Sequence, residues 1–255
     1  MRRIGVIAIN TVRECVRDKI FLNLLIFGAL MIGVSILIGD LSIGQKGKFI
    51  KDIGLGAISI IGAITAILLS TGLIRREIDR KTIYSVIYRP MPRWNFLLGR
   101  YLGICLTIGL NVLIMSLIFF ALLSIGRYGI QAGMFKAILM TYMELILIAS
   151  IGLLLSLLLS STPSVIFTAS IYVAGHMTAE LKGMASAAQS GIHRFFLGAI
   201  YYIFPNLEAL NLRAEAAYGM TIDHLYLLKA CLYALAYTVV VLTIAMWWFE
   251  RGELG

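Results

Sequence analysis

The chain reads as an all-α, polytopic membrane protein with six transmembrane helices. Of its 255 residues 60% are hydrophobic and only 14% charged, mean hydropathy is +0.92, and long apolar runs recur along its length. A soluble domain carries about 25% charged residues, so an ordinary cytosolic enzyme is excluded. The 22 Lys+Arg against 13 Asp+Glu give a net charge of +9. In a chain this apolar, such charge belongs to loops on the cytoplasmic side of a membrane. A nucleic-acid module needs its basic residues on a polar, foldable surface, which is lacking here, so no nucleic-acid partner is expected. Cys15, Cys105 and Cys231 are isolated in sequence, with no CxxC and no Cys/His cluster; they read as small apolar fillers.

Residues 1–19 begin the chain as an amphipathic helix. Gly5, Ile9, Val12, Val16 and Ile20 recur at three and four residues, with Asn10, Arg13, Glu14, Arg17 and Asp18 opposite. Such a helix is expected in the interface plane, apolar face in the acyl boundary. It is not a secretory signal: Arg13, Arg17 and Lys19 interrupt the apolar run, and no small-x-small cleavage site follows. An apolar helix needs about 20 residues to cross the hydrocarbon core, and six spans are expected at 20–39, 53–74, 96–125, 135–160, 165–179 and 225–249. Pro163, in the SSTPS link, separates the fourth from the fifth. Gly62/Ala66 in the second span and Gly99/Gly103 in the third have the spacing that lets helices approach closely.

An even number of spans puts both termini on one side. If that side is the cytoplasm, the inner segments hold 13 of the 22 basic residues, as the positive-inside rule demands. The one substantial inner loop, 75–95, mixes charges with Ile78, Ile83, Val86 and Ile87 on one face of a short helix, and Pro90 and Pro92 then force an extended turn. Stiffly joined to two spans, it suits contact with a soluble partner, although an anchoring loop would read the same. On the outer side, 180–224 holds no full-length apolar helix. Ile192 to Ile203 is expected to lie along the interface, and Leu207 to Tyr218 to form a short helix exposing Glu208, Arg213 and Glu215.

No GxxxxGK[ST], HExxH or GxSxG occurs, so the chain is not expected to be an enzyme or to hold a metal. Ionisable groups inside spans are costly, about 2.5–3.5 kcal/mol each at the centre of the bilayer. Glu144 lies nine residues into its span, about 13 Å from the start, either facing Asn111 or a tyrosine as a structural group or lining a path. His176 is expected to make an interfacial hydrogen bond near the outer end.

The run RREIDRKTIYSVIYRPMPRWNFLLGRYLG, Arg75 to Gly103, resembles the cytosolic loop of ABC-2-type transporter permeases. In that family a Glu is followed five residues later by Thr, then by a Pro-x-x-Arg turn and a Gly-basic pair; here these are Glu77, Thr82, Pro90 with Arg93, and Gly99 with Arg100. The N-terminal helix, the SSTP turn and the outer FPNLEALNL segment agree, and the arrangement looks most like the branch that includes permeases of copper-enzyme maturation systems.

The resemblance implies a half-transporter for export, pairing with a second permease, identical in the simplest case; the compact loops and the lack of a targeting signal favour a prokaryotic inner membrane. Two cytosolic ABC ATPase subunits would dock beneath, holding the ATP and magnesium for which this chain has no site. Glu77, Ile78, Asp79, Arg80, Lys81, Thr82, Ile83 and Ile87 would form the ATPase-coupling interface, the N-terminal helix would be the family's elbow helix, and spans two and five would line the path. The apolar second span favours lipid-like, hydrophobic or peptide-like cargo over a bare ion. Two other readings stand beside it: a proton-coupled secondary transporter or channel using Glu144 and His176, and an ATPase-coupled anchor working on an extracytoplasmic accessory protein without transport.

Overall fold

The computed structural model describes residues 2–17, 46–79, 93–178 and 204–251, with scattered positions between 25 and 36. Its helices are α1 (Arg2–Arg17), α2 (Lys46–Asp79), α3 (Arg93–Ile125), α4 (Ala132–Leu158), α5 (Ser161–His176), a 3-10 turn (Glu208–Leu210), α6 (Arg213–Tyr218) and α7 (His224–Arg251). Among the described residues there is no strand.

Among the described residues four helices, α2, α3, α4 and α7, are long and apolar enough to cross a membrane. They fall on the second, third, fourth and sixth expected spans. The first, 20–39, lies largely outside the described residues. The fifth differs from expectation: α5 starts at Ser161, ahead of residue 165, and ends at His176 after 16 residues. At about 1.5 Å per residue it is some 24 Å long, short of the ~30 Å hydrocarbon core. Pro163 does not delay the start, because the first four N–H groups of a helix have no intrahelical acceptor anyway.

The second span differs in the other direction. α2 is one helix of 34 residues from Lys46 to Asp79, extending past both ends of the expected 53–74 and into the loop expected at 75–95. Its five glycines do not break it. In an apolar surrounding every backbone group must find its partner within the helix, and the stretch contains no proline.

Helix α4 is the centre of the bundle, packed against α2, α3, α5, α6 and α7. It is apolar all round, as a helix buried on every side must be. Leu145, Leu147, Ile148, Ala149 and Leu153 have no exposed surface. Gly62 of α2 lets Leu145 of α4 come close, since a Cβ there would lie 2.6 Å from Leu145 Cδ1. Further along the same pair, Gly152 of α4 admits Ser70 of α2.

Hydroxyls inside the bundle bond to their own helix one turn back, as Thr65 to the Ile61 carbonyl (2.8 Å), Thr107 to Gly103 (2.8 Å) and Thr168 to Ser164 (2.7 Å). Between helices, Tyr101 of α3 donates to the Ile146 carbonyl of α4 (3.1 Å), and Tyr142 of α4 donates to Cys105 of α3 (3.2 Å). Outward, α3 turns Leu106, Leu113 and Leu117 to the surroundings, and α7 turns Leu232, Val239, Trp247 and Trp248. Cys105 is a buried filler and Cys231 is half-buried, both as free thiols.

Helix α1 docks on the bundle by a side other than the stripe expected in the acyl boundary. Ala8 and Thr11 are buried against α3, whereas Gly5 and Ile9 are exposed. The close approach comes from Gly103 of α3, where a Cβ would collide with Thr11 and with the Ala8 carbonyl. Glu14, expected on the free polar side, instead meets Arg100 of α3 at 2.8 Å, and Arg100 also donates to the Thr11 hydroxyl at 3.0 Å. The small side of α1 therefore faces the protein and its larger apolar side chains, Val6 and Ile9, face outward.

Candidate functional site: a polar junction under a re-entering cap

At the end of the bundle where α2 begins, residues 204–223 fold over the short helix α5. Asn206 organises the fold-over. Its side-chain oxygen accepts from Thr178 Oγ1 (2.9 Å) and from the Ala209 amide (3.1 Å), while its own amide donates to the Tyr233 hydroxyl of α7 (2.9 Å). The Leu207 amide donates to the Gly175 carbonyl near the end of α5 (3.1 Å). Gly175 has to be glycine here: a Cβ would lie 2.8 Å from the Pro205 carbonyl oxygen and 2.7 Å from Leu207 Cγ. Tyr226 ties the cap to the start of α7 by donating to the Ala209 carbonyl (2.8 Å), and the left-handed Gly219 ends α6.

Beneath the cap lies the junction itself. Glu144 of α4 is 1% exposed and has its Oε1 3.3 Å from Nε2 of His176 at the end of α5. This is ion-pair distance but not hydrogen-bond alignment, and neither atom has a hydrogen-bond partner among the described residues. His176 Nδ1 lies 3.1 Å from the Tyr172 carbonyl. The Tyr172 phenol stands beside the Glu144 carboxyl and 3.4 Å from the Ser59 hydroxyl of α2. One polar junction thus joins α2, α4 and α5.

Of the two partners expected for Glu144, Asn111 or a tyrosine, Asn111 is placed elsewhere. It is fully buried on α3 and donates to Thr65 Oγ1 of α2 at 3.2 Å. A tyrosine and a histidine take the place beside Glu144, because α5 is short enough for its final turn to end at that level. His176 therefore sits under the cap and next to a carboxylate. Of the coupling residues, Glu77, Ile78 and Asp79 fall on the last turn of α2. Arg80, Lys81, Thr82, Ile83 and Ile87 lie outside the described residues, as does Ile192 to Ile203.

The Leu207 to Tyr218 helix is broken into a 3-10 turn and a short α6, and its charges are not on the solvent side as expected. Glu208, Arg213 and Glu215 are half-buried, and one carboxylate oxygen of Glu215 is enclosed. Arg213 donates from Nε to Asn211 Oδ1 at 2.7 Å, and Asn211 donates onward to Glu208 at 3.3 Å. A cavity of about 410 Å³ lies between this segment and the Asp52–Ile61 stretch of α2. Sequence reasoning saw Arg213 only as a surface charge. The signal available was its place in a short stretch between two long apolar runs, where a helix too short to span must tuck against its neighbours.

Among the described residues no three His, Cys, Asp or Glu side chains group as a metal would require. The fold and its junction define a helical membrane domain that keeps polar and ionisable groups within an apolar bundle. The sequence model of the family described as "ABC-2 family transporter protein" matches residues 6–254, and the chain belongs to that family. No curated protein matches it. Family and fold together make it a multi-pass membrane protein of the permease type, a class that works with an ATPase subunit.

Proposed function

We propose that the chain is the membrane subunit of an ATP-driven exporter, two copies pairing over two cytosolic ABC ATPase subunits that bind the ATP and magnesium. The termini are cytoplasmic, the membrane is a prokaryotic inner membrane, and this chain carries no catalysis of its own. Residues 75–95 meet the ATPase, with Glu77, Asp79, Arg80 and Lys81 setting register and Ile78, Ile83 and Ile87 giving apolar contact around Thr82.

The observation that supports this best is the continuity of α2. One helix of 34 residues, about 51 Å long, joins the Glu77 end to the Ser59–Tyr172–Glu144 junction and to the cavity beside Arg213. A rigid helix displaced at one end carries the displacement to the other. A movement of the ATPase against residues 77–79 would therefore reach the far side of the bundle without any change within the helix.

Mild-detergent purification of the tagged protein from its host, followed by mass spectrometry, tests the reading. A chain bearing a phosphate-loop motif should accompany it in equal amount. Glu77→Arg and Thr82→Trp should detach or uncouple that chain while membrane insertion stays normal. Unchanged binding and coupling in both variants would remove the assigned interface. A second reading, proton-coupled transport without an ATPase, draws on the Glu144–His176 contact; it predicts an active protein that purifies alone and is silenced by Glu144→Gln.

A further inference from the structure

The cavity between α2 and the Asn211–Ala214 segment has chemistry that the coupling function does not use. Its walls are largely apolar, with Ile53, Ala57, Ile60 and Ile61 contributed by α2. Two charged groups border it, Arg213 on one side and Asp52 on the other. The Nε bond to Asn211 fixes the plane of the Arg213 guanidinium, and its terminal nitrogens have no hydrogen-bond or ion-pair partner among the described residues. Gly56 supplies the flat floor beneath them, since a Cβ there would lie 3.3 Å from one of those nitrogens.

Glu144 attracts Arg213 through space, yet its carboxylate is set against His176 and Tyr172 and makes no contact with the guanidinium. Arg213 and Asp52 do not pair with each other within ion-pair distance. A half-buried guanidinium whose terminal N–H groups have no acceptor among the described residues is suited to a phosphate or carboxylate, which it binds by charge-assisted hydrogen bonds. From the cavity an exposed apolar track, Ile60, Ile64 and Leu68, continues along one face of α2 over about 12 Å.

We propose that this cavity binds the head of a zwitterionic amphiphile: its anionic group on Arg213, its cationic group at Asp52, and its chain along Ile60, Ile64 and Leu68. A volume of about 410 Å³ falls within the ~300–1,000 Å³ of small-molecule sites. The polar head and apolar track are laid end to end along a membrane helix, in the order that a lipid-like molecule presents them. This names a substrate class for the permease reading and rests on it, but the binding it asserts is measured without the ATPase.

Native mass spectrometry of the full chain in neutral maltoside detergent, with phosphatidylethanolamine, phosphatidylglycerol or diacylglycerol added, reads the site directly. Retention should follow phosphatidylethanolamine, then phosphatidylglycerol, then diacylglycerol. Arg213→Ala should lower phosphatidylethanolamine retention about tenfold or more, the loss expected on removing hydrogen bonds to a charged group. Asp52→Asn should abolish the preference for the ethanolamine lipid over the glycerol lipid and leave phosphate binding in place. Should Arg213→Ala loosen the cap, Ile60→Trp, at an exposed position on the cavity wall, blocks the site without touching the buried core. Equal retention of the three lipids, or no loss in both Arg213→Ala and Ile60→Trp, would overturn the proposal and leave the ATPase-coupled function standing. Selective retention in a protein that purifies without an ATPase would keep the site and remove that function.

Discussion

At the scale of single residues, the polar groups inside the bundle hold helices together at chosen levels. Glu144 illustrates the energetics. Its carboxylate lies 3.3 Å from His176 Nε2 and beside the Tyr172 phenol, which in turn stands 3.4 Å from the Ser59 hydroxyl, so removing it leaves a histidine nitrogen and a phenol facing an apolar side chain. Such an orphaned buried group costs about 1–3 kcal/mol. Glu144→Leu should therefore lower the melting temperature in neutral detergent, while Glu144→Gln, which keeps a polar neighbour, should lie close to wild type. A Leu variant as stable as the native protein would mean that the junction contributes nothing to stability. The identity of Glu144 as an intramembrane ionisable residue was legible from its position in an apolar run. A tyrosine beside it was one of the expected alternatives; His176 was not, because it ends a helix whose place is set by the cap folded over it.

At the scale of elements, two glycines decide what packs where. Gly103 allows α1 to lie against α3 through Thr11 and Ala8, and Arg100 then reaches Glu14. Gly103→Leu should displace α1 from the bundle. Spin labels at exposed Ile9 and at exposed Leu106 would record a longer and broader distance distribution in the variant, and an unchanged distribution would show that α1 is held by other contacts. Gly175 does the same for the cap, where the obstacle to a side chain is the Pro205 backbone oxygen and not a flexible side chain. The amides of residues 204–212 should exchange faster with solvent in Gly175→Ala, at a rate measurable by hydrogen–deuterium exchange. The amphipathic pattern of α1 was plain in the sequence. Which side faces the protein was not, because a helix docks on the side that permits close approach, and small Ala8 and Thr11 outrank the larger Val6 and Ile9 there.

At the scale of the whole molecule, basic charge concentrates in two stretches of the sequence. Arg75, Arg76, Arg80, Lys81, Arg89 and Arg93 fall between the expected spans two and three, with Arg100 just inside the third, and Arg2, Arg3, Arg13, Arg17 and Lys19 precede the first. In a background with Cys15, Cys105 and Cys231 replaced by alanine, Gln131→Cys should react with a membrane-impermeant maleimide added to intact cells. Glu250→Cys should react only after the cells are opened. The reverse pattern would invert the orientation and move the cavity to the cytoplasmic face. The sequence by itself determined the membrane class, the four long helices and the family, because hydropathy and helix length act locally and survive any packing. Only the packing set the unbroken course of α2, the placing of α5 over Ser161–His176, the meeting of Glu144 with His176 in place of Asn111, and the turn of Arg213 into a cavity. Each of these depends on how closely two helices approach, and that distance is set jointly by residues far apart in the chain, such as Gly62 with Leu145 and Gly175 with Leu207.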